Sequence, residues 1–408
     1  MKRISEALEV MMPAFRTLGE ERVTLHDLLG RVVARDVLAR ADLPPFDNSA
    51  MDGYAVRASD ATAGASLTLA GESRAGGPTP PALEPGKAMR IFTGAVVPLG
   101  ADVVVMQENT TAGDGAVTID QAPIARENIR HRGSDLEGGA VMLPKGMRIG
   151  PGEIGLLAAQ RIGAVGVNRR PVVAILSTGD ELRDVTDPEE PGTIVNSNAY
   201  ALAAQVREAG GVPWVIPNVP DDMDATVARV REGLGADLLL TCGGVSVGDY
   251  DLVKDAFEKN GIDASFWKVR IKPGKPLTFG LAGDKPVVGL PGNPVSAMVT
   301  FEVFVRPGIR RMLGDPTPYR VRHTVELAVD HEHSPRRPEL ARCTLERDGG
   351  VVRARPLRLQ GSGSLPSMLG VDALVMLPAD QRTFAAGEKL DAILLADHAG
   401  AAEAPFDA

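Results

Sequence analysis

Cysteine and aromatic residues are scarce in this sequence of 408 residues. Its two cysteines, Cys242 and Cys343, lie far apart and outside any cluster of cysteine and histidine. This argues against a disulfide framework and a structural zinc site, and it favours a reducing compartment. Aromatic residues make up only 4% of the chain, too few for the stacking platforms that bind single-stranded nucleic acid.

Long apolar runs and an excess of positive charge are missing as well. No apolar stretch approaches the roughly 20 residues that span a bilayer, and residues 1–12 lack the continuous hydrophobic segment of a signal peptide. We therefore expect a cytoplasmic protein with no membrane partner. The 44 lysine and arginine residues are outnumbered by 53 aspartate and glutamate residues, a net charge of −9. Nucleic-acid-binding proteins usually have the opposite balance, so nucleic acid is not an expected partner.

The first part of the chain predicts a small helical unit interrupted by a β-rich module. Apolar residues at helical spacing predict a helix from Ile4 to Phe15 and a second, short one from Thr24 to Leu29. From residue 41 to 139, short apolar runs alternate with Gly, Pro and Asp turns, which is typical of β-structure. Pro151 is well placed to begin a helix that ends near Arg161. If that helix packs on the N-terminal ones, the β-rich module is an insertion.

From residue 171 onward, the pattern alternates between strands and helices. Val172–Leu176 and Asp237–Thr241 are short apolar runs typical of buried parallel strands, and Asp221 or Asp222 can cap a helix that ends near Leu234. This alternation predicts an α/β layer with a mainly parallel sheet. Beyond Pro316 the runs are short and rich in turns, which predicts a small β unit. The predicted domains are 1–40 with 140–170, 41–139, 171–314 and 315–408.

Two glycine-containing loops follow strands of the predicted sheet, and each carries carboxylates. The first loop is Ser177–Glu181 and the second is Gly243–Asp251. Ligands of open α/β sheets bind at the carboxyl ends of strands, where glycines let backbone N–H groups approach a phosphate. Glu181 and Asp251 would repel that phosphate without a cation, so their pairing predicts Mg²⁺. The alternative is that Asp180 and Asp251 only cap helices.

Two further turns provide candidate anion ligands. Lys272–Pro276 places two lysines on a stiff turn, and Gly289–Ser296 is another predicted strand-to-helix turn. A dianion could bind between them, although a solvated lysine turn is the alternative. By spacing alone, Asp52 in an Asp-Gly turn, Thr93 and Asp135 have no assigned role.

Six motifs occur in the order and register of one known family. They are Asp47–Tyr54, Thr93–Gly94, Ser177–Leu182, Gly243–Gly248, Lys272–Pro276 and Gly289–Pro294. Together they resemble the molybdopterin molybdenumtransferase family (MoeA and the E-domain of gephyrin), to about residue 395. The resemblance implies an elongated four-domain subunit of α/β plus β class, with a molybdopterin-binding α/β domain, an inserted β-rich module and a C-terminal β barrel. It also implies a homodimer, with each site between the α/β domain of one subunit and the inserted module of the other.

The same resemblance implies the reaction and the residues that carry it. Adenylylated molybdopterin and molybdate would be converted to molybdenum cofactor and AMP, with Mg²⁺ as the cofactor. Aspartates 52 and 135 would arrive from the partner subunit and position or activate the group that attacks the phosphoanhydride. The implied catalytic residues are Asp52, Asp135, Glu181 and Asp251; the substrate-binding residues are Thr93, Lys272, Lys275, Ser296, Arg342 and Ser362; and the metal ligands are Asp221 and Asp251.

Two other functions are compatible with this fold. The chain could be a scaffold that binds a partner peptide, as the gephyrin E-domain additionally does. It could also be another enzyme built on the same α/β fold, which adenylates molybdopterin or hydrolyses a pyridine nucleotide. The presence of every acidic and lysine position argues against a pure scaffold, and the inserted module with Asp52 argues against the other enzymes.

Overall fold

Strand pairing groups the chain into an N-terminal unit, an inserted β module, an α/β sheet and a closed barrel. The computed structural model describes residues 1–243, 252–334, 336–348 and 351–395. The predicted α/β plus β class, with its C-terminal barrel, is confirmed. In the described ranges, no helix has both the length and the apolar character needed to cross a membrane.

The N-terminal unit is closed by segments from both sides of the inserted module. Glu20–Thr24 pairs antiparallel with Ala164–Asn168, and Val37–Leu38 pairs with Val141–Leu143. The helix Pro151–Ala159 begins at the predicted proline and buries Leu157 in the same core. The predicted helix from Thr24 to Leu29 is wrong. Thr24 ends a strand, and a single 3₁₀ turn, Leu25–Asp27, follows it.

The first helix, Ile4–Met11, packs against the α/β domain instead of the N-terminal core. Ala7 and Met11 are fully buried in the same cluster as the sheet residue Phe279. Phe15, which follows the helix, contacts the Phe279 ring at a centroid distance of 6.2 Å. The helical spacing of these apolar residues predicts the buried face, but it does not specify which core that face meets.

The inserted module is built around a six-stranded sheet. Its strands pair antiparallel except for one parallel pair, Ser66–Ser73 with Lys87–Ile91. Separately, the two-residue strand Asn48–Ser49 pairs with Ile129–Arg130. In spatial order the six strands are Val103–Met106, Gly53–Val56, Lys87–Ile91, Ser66–Ser73, Ala116–Ile119 and Thr110–Gly113.

The α/β domain has a six-stranded sheet whose first four strands are parallel. Side chains of Val172–Ser177 alternate between two cores: Val173 and Ile175 face one, and Ala174 and Leu176 the other. Both faces are thus covered, as the apolar run predicts. The strand order is Val212–Val215, Val172–Ser177, Leu238–Cys242, Lys285–Leu290, Thr278–Ala282 and Asp263–Phe266. The helices are Ser197–Ala209, Met223–Gly233, Leu252–Lys259, Pro294–Thr300 and Arg306–Met312, the last two joined by the π-helical segment Phe301–Val305.

The C-terminal barrel touches the α/β domain beside Lys272. A backbone bridge joins Lys272 to Glu339 at the start of the barrel strand Glu339–Asp348. The interior is filled mainly by small apolar residues, including Ala341 and Ala354. The barrel strands, in order, are Arg322–Leu327, Val351–Pro356, Glu339–Asp348, Ala373–Leu377 and Lys389–Leu394, with an additional pair, His331–Glu332 and Thr383–Phe384.

Candidate functional site

A cleft of about 1090 Å³ opens at the carboxyl ends of the parallel strands. It lies between the strand-end loops, the Lys272–Pro276 turn, the start of the helix Pro294–Thr300 and the barrel loop 360–362. This is where ligands bind in open α/β sheets. The predicted site residues that line it are Glu181, Asp221, Lys272, Lys275, Ser296 and Ser362.

One side of the cleft is acidic. Glu181 and Asp221 line it, and the Asp180 carboxylate accepts a hydrogen bond from the Asp221 backbone N–H at 2.9 Å. Burial, followed by the charges of Asp180 and Glu181, raises the pKa of Asp221. The segment after Asp180 forms a short strand, Leu182–Arg183, so the alternative that this aspartate caps a helix is wrong.

Adjacent aspartates at the start of one helix have different surroundings. Asp222 is the N-cap of Met223–Gly233, because its Oδ1 accepts from the Ala225 N–H at 2.8 Å. Asp221 is thereby free to face the cleft. Within the described ranges, no three His, Cys, Asp or Glu side chains are grouped closely enough to hold a metal ion by themselves. Asp251, the other predicted metal ligand, lies outside the described residues.

The opposite side of the cleft is basic. Lys272 Nζ donates to Glu339 Oε2 at 2.8 Å, whereas Lys275 is exposed and forms no ion pair with any described residue. The turn holding both lysines approaches the helix Pro294–Thr300 closely. A Cβ at Gly274 would lie 2.2 Å from Thr300 Cγ2, and φ at Gly274 is +107°. Only glycine fits this turn without displacing the helix.

Ser296 and Ser362 both lie at the beginning of the helix Pro294–Thr300. Ser296 is buried, with 4% of its surface exposed. The Ser362 hydroxyl accepts from Asn293 Nδ2 at 2.9 Å, and its carbonyl accepts from the Val295 N–H at 3.1 Å. The barrel loop is therefore seated directly on the strand-to-helix turn that the sequence singles out.

Arg342 lies behind this barrel loop and does not line the cleft. It is fully buried, and its Nη2 donates to the carbonyls of Leu359 and Gly361. Burial lowers the pKa of Arg342. No described residue accepts a hydrogen bond from its Nε or Nη1. In this geometry Arg342 supports the loop that carries Ser362, and its predicted contact with molybdate stays a prediction.

The other three predicted residues belong to the inserted module and do not line the cleft. The Thr93 backbone N–H and hydroxyl donate to Asp52 Oδ1 at 2.7 and 2.8 Å, and these two bonds lower the pKa of Asp52. Asp135 forms an ion pair with Arg130 and accepts from the Ser134 hydroxyl at 3.1 Å. The chain therefore presents two separate groups of predicted site residues.

Residues that the motifs do not single out also line the cleft, among them Arg337, Asn198 and Cys242. Arg337 is a half-buried cation beside Lys272, with Nη1 donating to the Ile271 carbonyl at 2.9 Å. Asn198 donates to the Gly292 carbonyl at 2.6 Å and to Cys242 Sγ at 3.2 Å. Burial raises the pKa of Cys242 to about 12, so its thiol is neutral. Residues 331–360 contain seven arginines, and this local excess is the one sequence signal that points toward Arg337.

Comparison with known proteins identifies the family. Family models match residues 2–160 as the MoeA N-terminal region (domains I and II), 174–311 as a probable molybdopterin binding domain, and 324–395 as the MoeA C-terminal region (domain IV). A molybdopterin molybdenumtransferase of Bacillus subtilis is 38% identical over 95% of this chain and 92% of its own length. The chain belongs to the molybdopterin molybdenumtransferase family.

Other members of the family agree with this assignment. Molybdopterin molybdenumtransferase 2 of Mycobacterium tuberculosis is 38% identical over 96% of this chain and 98% of its own length. The molybdopterin biosynthesis moeA protein of Pyrococcus horikoshii superposes with a TM-score of 0.83 at 29% identity, and covers 97% of this chain and all of its own. The family identified from the six motifs is thus confirmed, and so is the fold it implies.

Proposed function

We propose that this chain is a molybdenum insertase, which transfers molybdate into adenylylated molybdopterin and releases AMP. The observation that supports it best is the cleft itself, where carboxylates and cations face each other within the segment similar to a molybdopterin binding domain. We expect the enzyme to act in the cytoplasm, since Cys242 and Cys343 are both free thiols. The test is direct: the purified chain should make molybdenum cofactor and AMP from both substrates.

The acidic side of the cleft suits a hard divalent cation. Glu181 and Asp221 offer only oxygen donors, and Mg²⁺ is commonly held by one or two carboxylates together with substrate phosphates. Burial and, after it, the charges of Asp180 and Glu181 raise the pKa of Asp221, and a bound cation would offset both effects. When bound, Mg²⁺ would neutralise charge on the phosphoanhydride. Asp221 and Glu181, with Asp251, would hold it.

The basic side suits molybdate. This dianion needs cations and hydroxyls that converge from several elements. Lys272 and Lys275 come from one turn and Ser362 from the barrel loop, and we add Arg337, which lines the same wall. Ser296, buried at the start of the neighbouring helix, contributes a second hydroxyl.

We further propose that the site is completed in a homodimer. Asp52, Thr93 and Asp135 lie outside the cleft of their own chain, so a partner's inserted module would supply them. The N-terminal unit offers a surface for pairing. Leu38 and Val141, neighbours on two paired strands, are 52% and 51% exposed. Contiguous exposed apolar patches mark protein–protein contacts, and we propose that this strand pair forms part of one.

Hybrid dimers test the shared site. Asp52→Asn and Asp221→Asn chains should each be inactive, and co-refolding or subunit exchange should restore up to about a quarter to a half of wild-type activity, because mixed dimers contain one intact site. Mixing Asp221→Asn with Glu181→Gln is the matched control. Both substitutions then lie in the same cleft, so no intact site forms. Equal recovery in both mixtures would refute the shared site.

A further inference from the structure

We infer that Glu339 is a positioning residue that fixes the Lys272 ammonium in the cleft, and that His333 holds Glu339 from the barrel side. The inference rests on the proposed function, because Lys272 needs a fixed position only if the cleft binds an oxyanion. Neither Glu339 nor His333 belongs to a sequence motif of the site, and neither lines the cleft.

The Glu339 carboxylate is enclosed between the Lys272 ammonium and the His333 imidazole. Its Oε2 accepts from Lys272 Nζ at 2.8 Å and lies 3.3 Å from His333 Nδ1. The side chains of Glu339 and His333 are 2% and 1% exposed, against 36% for Lys272. A buried carboxylate is costly unless it is paired. The Lys272 ammonium is therefore held by a carboxylate that solvent does not reach. The partly exposed Lys272 side chain also lines the cleft.

His333 is itself fixed in orientation. Its Nε2 lies 2.9 Å from the Pro378 carbonyl oxygen and 2.7 Å from that of Gln381. Carbonyl oxygens only accept hydrogen bonds, so Nε2 carries a hydrogen. The Phe384 ring packs beside the imidazole at a centroid distance of 5.5 Å. Nδ1 is the nitrogen that faces Glu339, at 3.3 Å, and it forms no hydrogen bond with a described residue. The imidazole therefore confines the Glu339 carboxylate by contact from the barrel side.

Backbone hydrogen bonds on either side of Glu339 join Lys272 to the barrel as well. The Lys272 N–H donates to the Pro338 carbonyl at 2.9 Å, and the Leu340 N–H donates to the Lys272 carbonyl at 2.8 Å. Main chain and side chain thus anchor Lys272 to the barrel at once. Lys275, three residues along the same turn, forms no ion pair with a described residue, and its carbonyl accepts from the Val269 and Leu277 N–H groups, which lie outside the barrel. It provides an internal reference for any measurement on Lys272.

Site-resolved acetylation of lysines in the full chain tests the contact without any molybdenum chemistry. Glu339→Gln should raise the ratio of Lys272 to Lys275 modification about tenfold, since it removes a charge-assisted hydrogen bond. His333→Gln should raise it in the same direction by about threefold, because it only loosens Glu339. Glu332→Gln and His323→Gln, exposed barrel residues of the same types, should leave it at the wild-type value.

An unchanged ratio in Glu339→Gln would overturn the inference. If that variant does not fold, Glu339→Asp replaces it. The shorter side chain keeps the charge but draws the oxygen away, and it too must raise the ratio.

Kinetics then separate positioning from a purely structural role. Glu339→Gln should raise the KM for molybdate about tenfold while kcat stays within about twofold. The reason is that a mispositioned Lys272 ammonium weakens molybdate binding more than it slows the chemical step. A fall in kcat with unchanged KM would overturn the positioning role. If the wild type forms no cofactor, the proposed function fails. The acetylation ratio still decides whether Glu339 holds Lys272.

Discussion

Asp221 and Asp222 are neighbours in sequence, and replacing each by alanine should separate activity from stability. Asp222→Ala removes the hydrogen bond to the Ala225 N–H, at 2.8 Å, that caps the helix Met223–Gly233. Losing such a cap costs about 1 kcal/mol. This raises the equilibrium constant for local opening of the helix about fivefold at 25 °C, and hydrogen exchange of its amides is faster by the same factor. Activity should be retained, because the Asp222 side chain points into the helix end.

Asp221→Ala should behave in the opposite way. Burial and the nearby Asp180 raise the pKa of Asp221 above its ordinary value of 3.8, so the folded chain binds this proton more tightly than the unfolded chain. The ionised carboxylate therefore destabilises the fold above its raised pKa, and this penalty is relieved as the pH falls through it. At pH 7 the alanine variant should lose no stability. Turnover should fall at least about tenfold and require more Mg²⁺, as expected for a lost metal ligand.

Hydrogen exchange of the amides in Met223–Gly233 is the appropriate assay, because a chain of several domains need not unfold in one transition. Paired with AMP release measured against Mg²⁺ concentration, it gives each variant two readouts. The reasoning is refuted if Asp221→Ala keeps normal Mg²⁺-dependent turnover and exchanges faster. It is equally refuted if Asp222→Ala loses turnover with unchanged exchange.

Three other substitutions or treatments should give defined results. Thr93→Val should raise the pKa of Asp52, because it removes one of the two Thr93 hydrogen bonds that lower it; a carboxyl ¹³C titration measures this, and an unshifted curve contradicts it. Arg337→Ala should raise the molybdate concentration for half-maximal turnover about tenfold, whereas Arg336→Ala, at an exposed neighbour, should not. Cys242, whose pKa burial raises to about 12, should resist alkylation at pH 8 in the folded chain, and rapid labelling would show that the cleft floor is open.

The parts of the fold that the sequence predicts are those with a strong local pattern. The continuous apolar run Val172–Leu176 identifies a strand because both of its faces are covered, and Pro151 marks a helix start because proline fits the first turn. The helix predicted from Thr24 to Leu29 is wrong because its local pattern is short and ambiguous. Its apolar residues fit one helical turn, and a 3₁₀ turn satisfies that spacing as well.

Site residues could be predicted where they directly follow a strand of the sheet. They could not be predicted where their position depends on how two domains pack together. Glu181 lines the cleft because parallel strands end at one edge. Arg342 and Arg337 lie in the same arginine-rich stretch, yet one is buried behind the loop and the other lines the wall. Arg337 precedes the strand Glu339–Asp348 and Arg342 lies within it. Their positions depend on where this strand pairs with Lys272, which local sequence does not specify.

Backbone contacts seat the barrel on the basic side of the cleft, and this makes the side chains of the cleft separable in function. The barrel is tied there through the Lys272 N–H and carbonyl, and through the Ser362 carbonyl, which accepts from the Val295 N–H. A substitution of a cleft side chain leaves these backbone bonds in place. The opposed charges of the cleft can therefore be altered one at a time, with Asp221 changing the cation requirement and Arg337 the molybdate requirement, while the barrel keeps its place on the α/β domain.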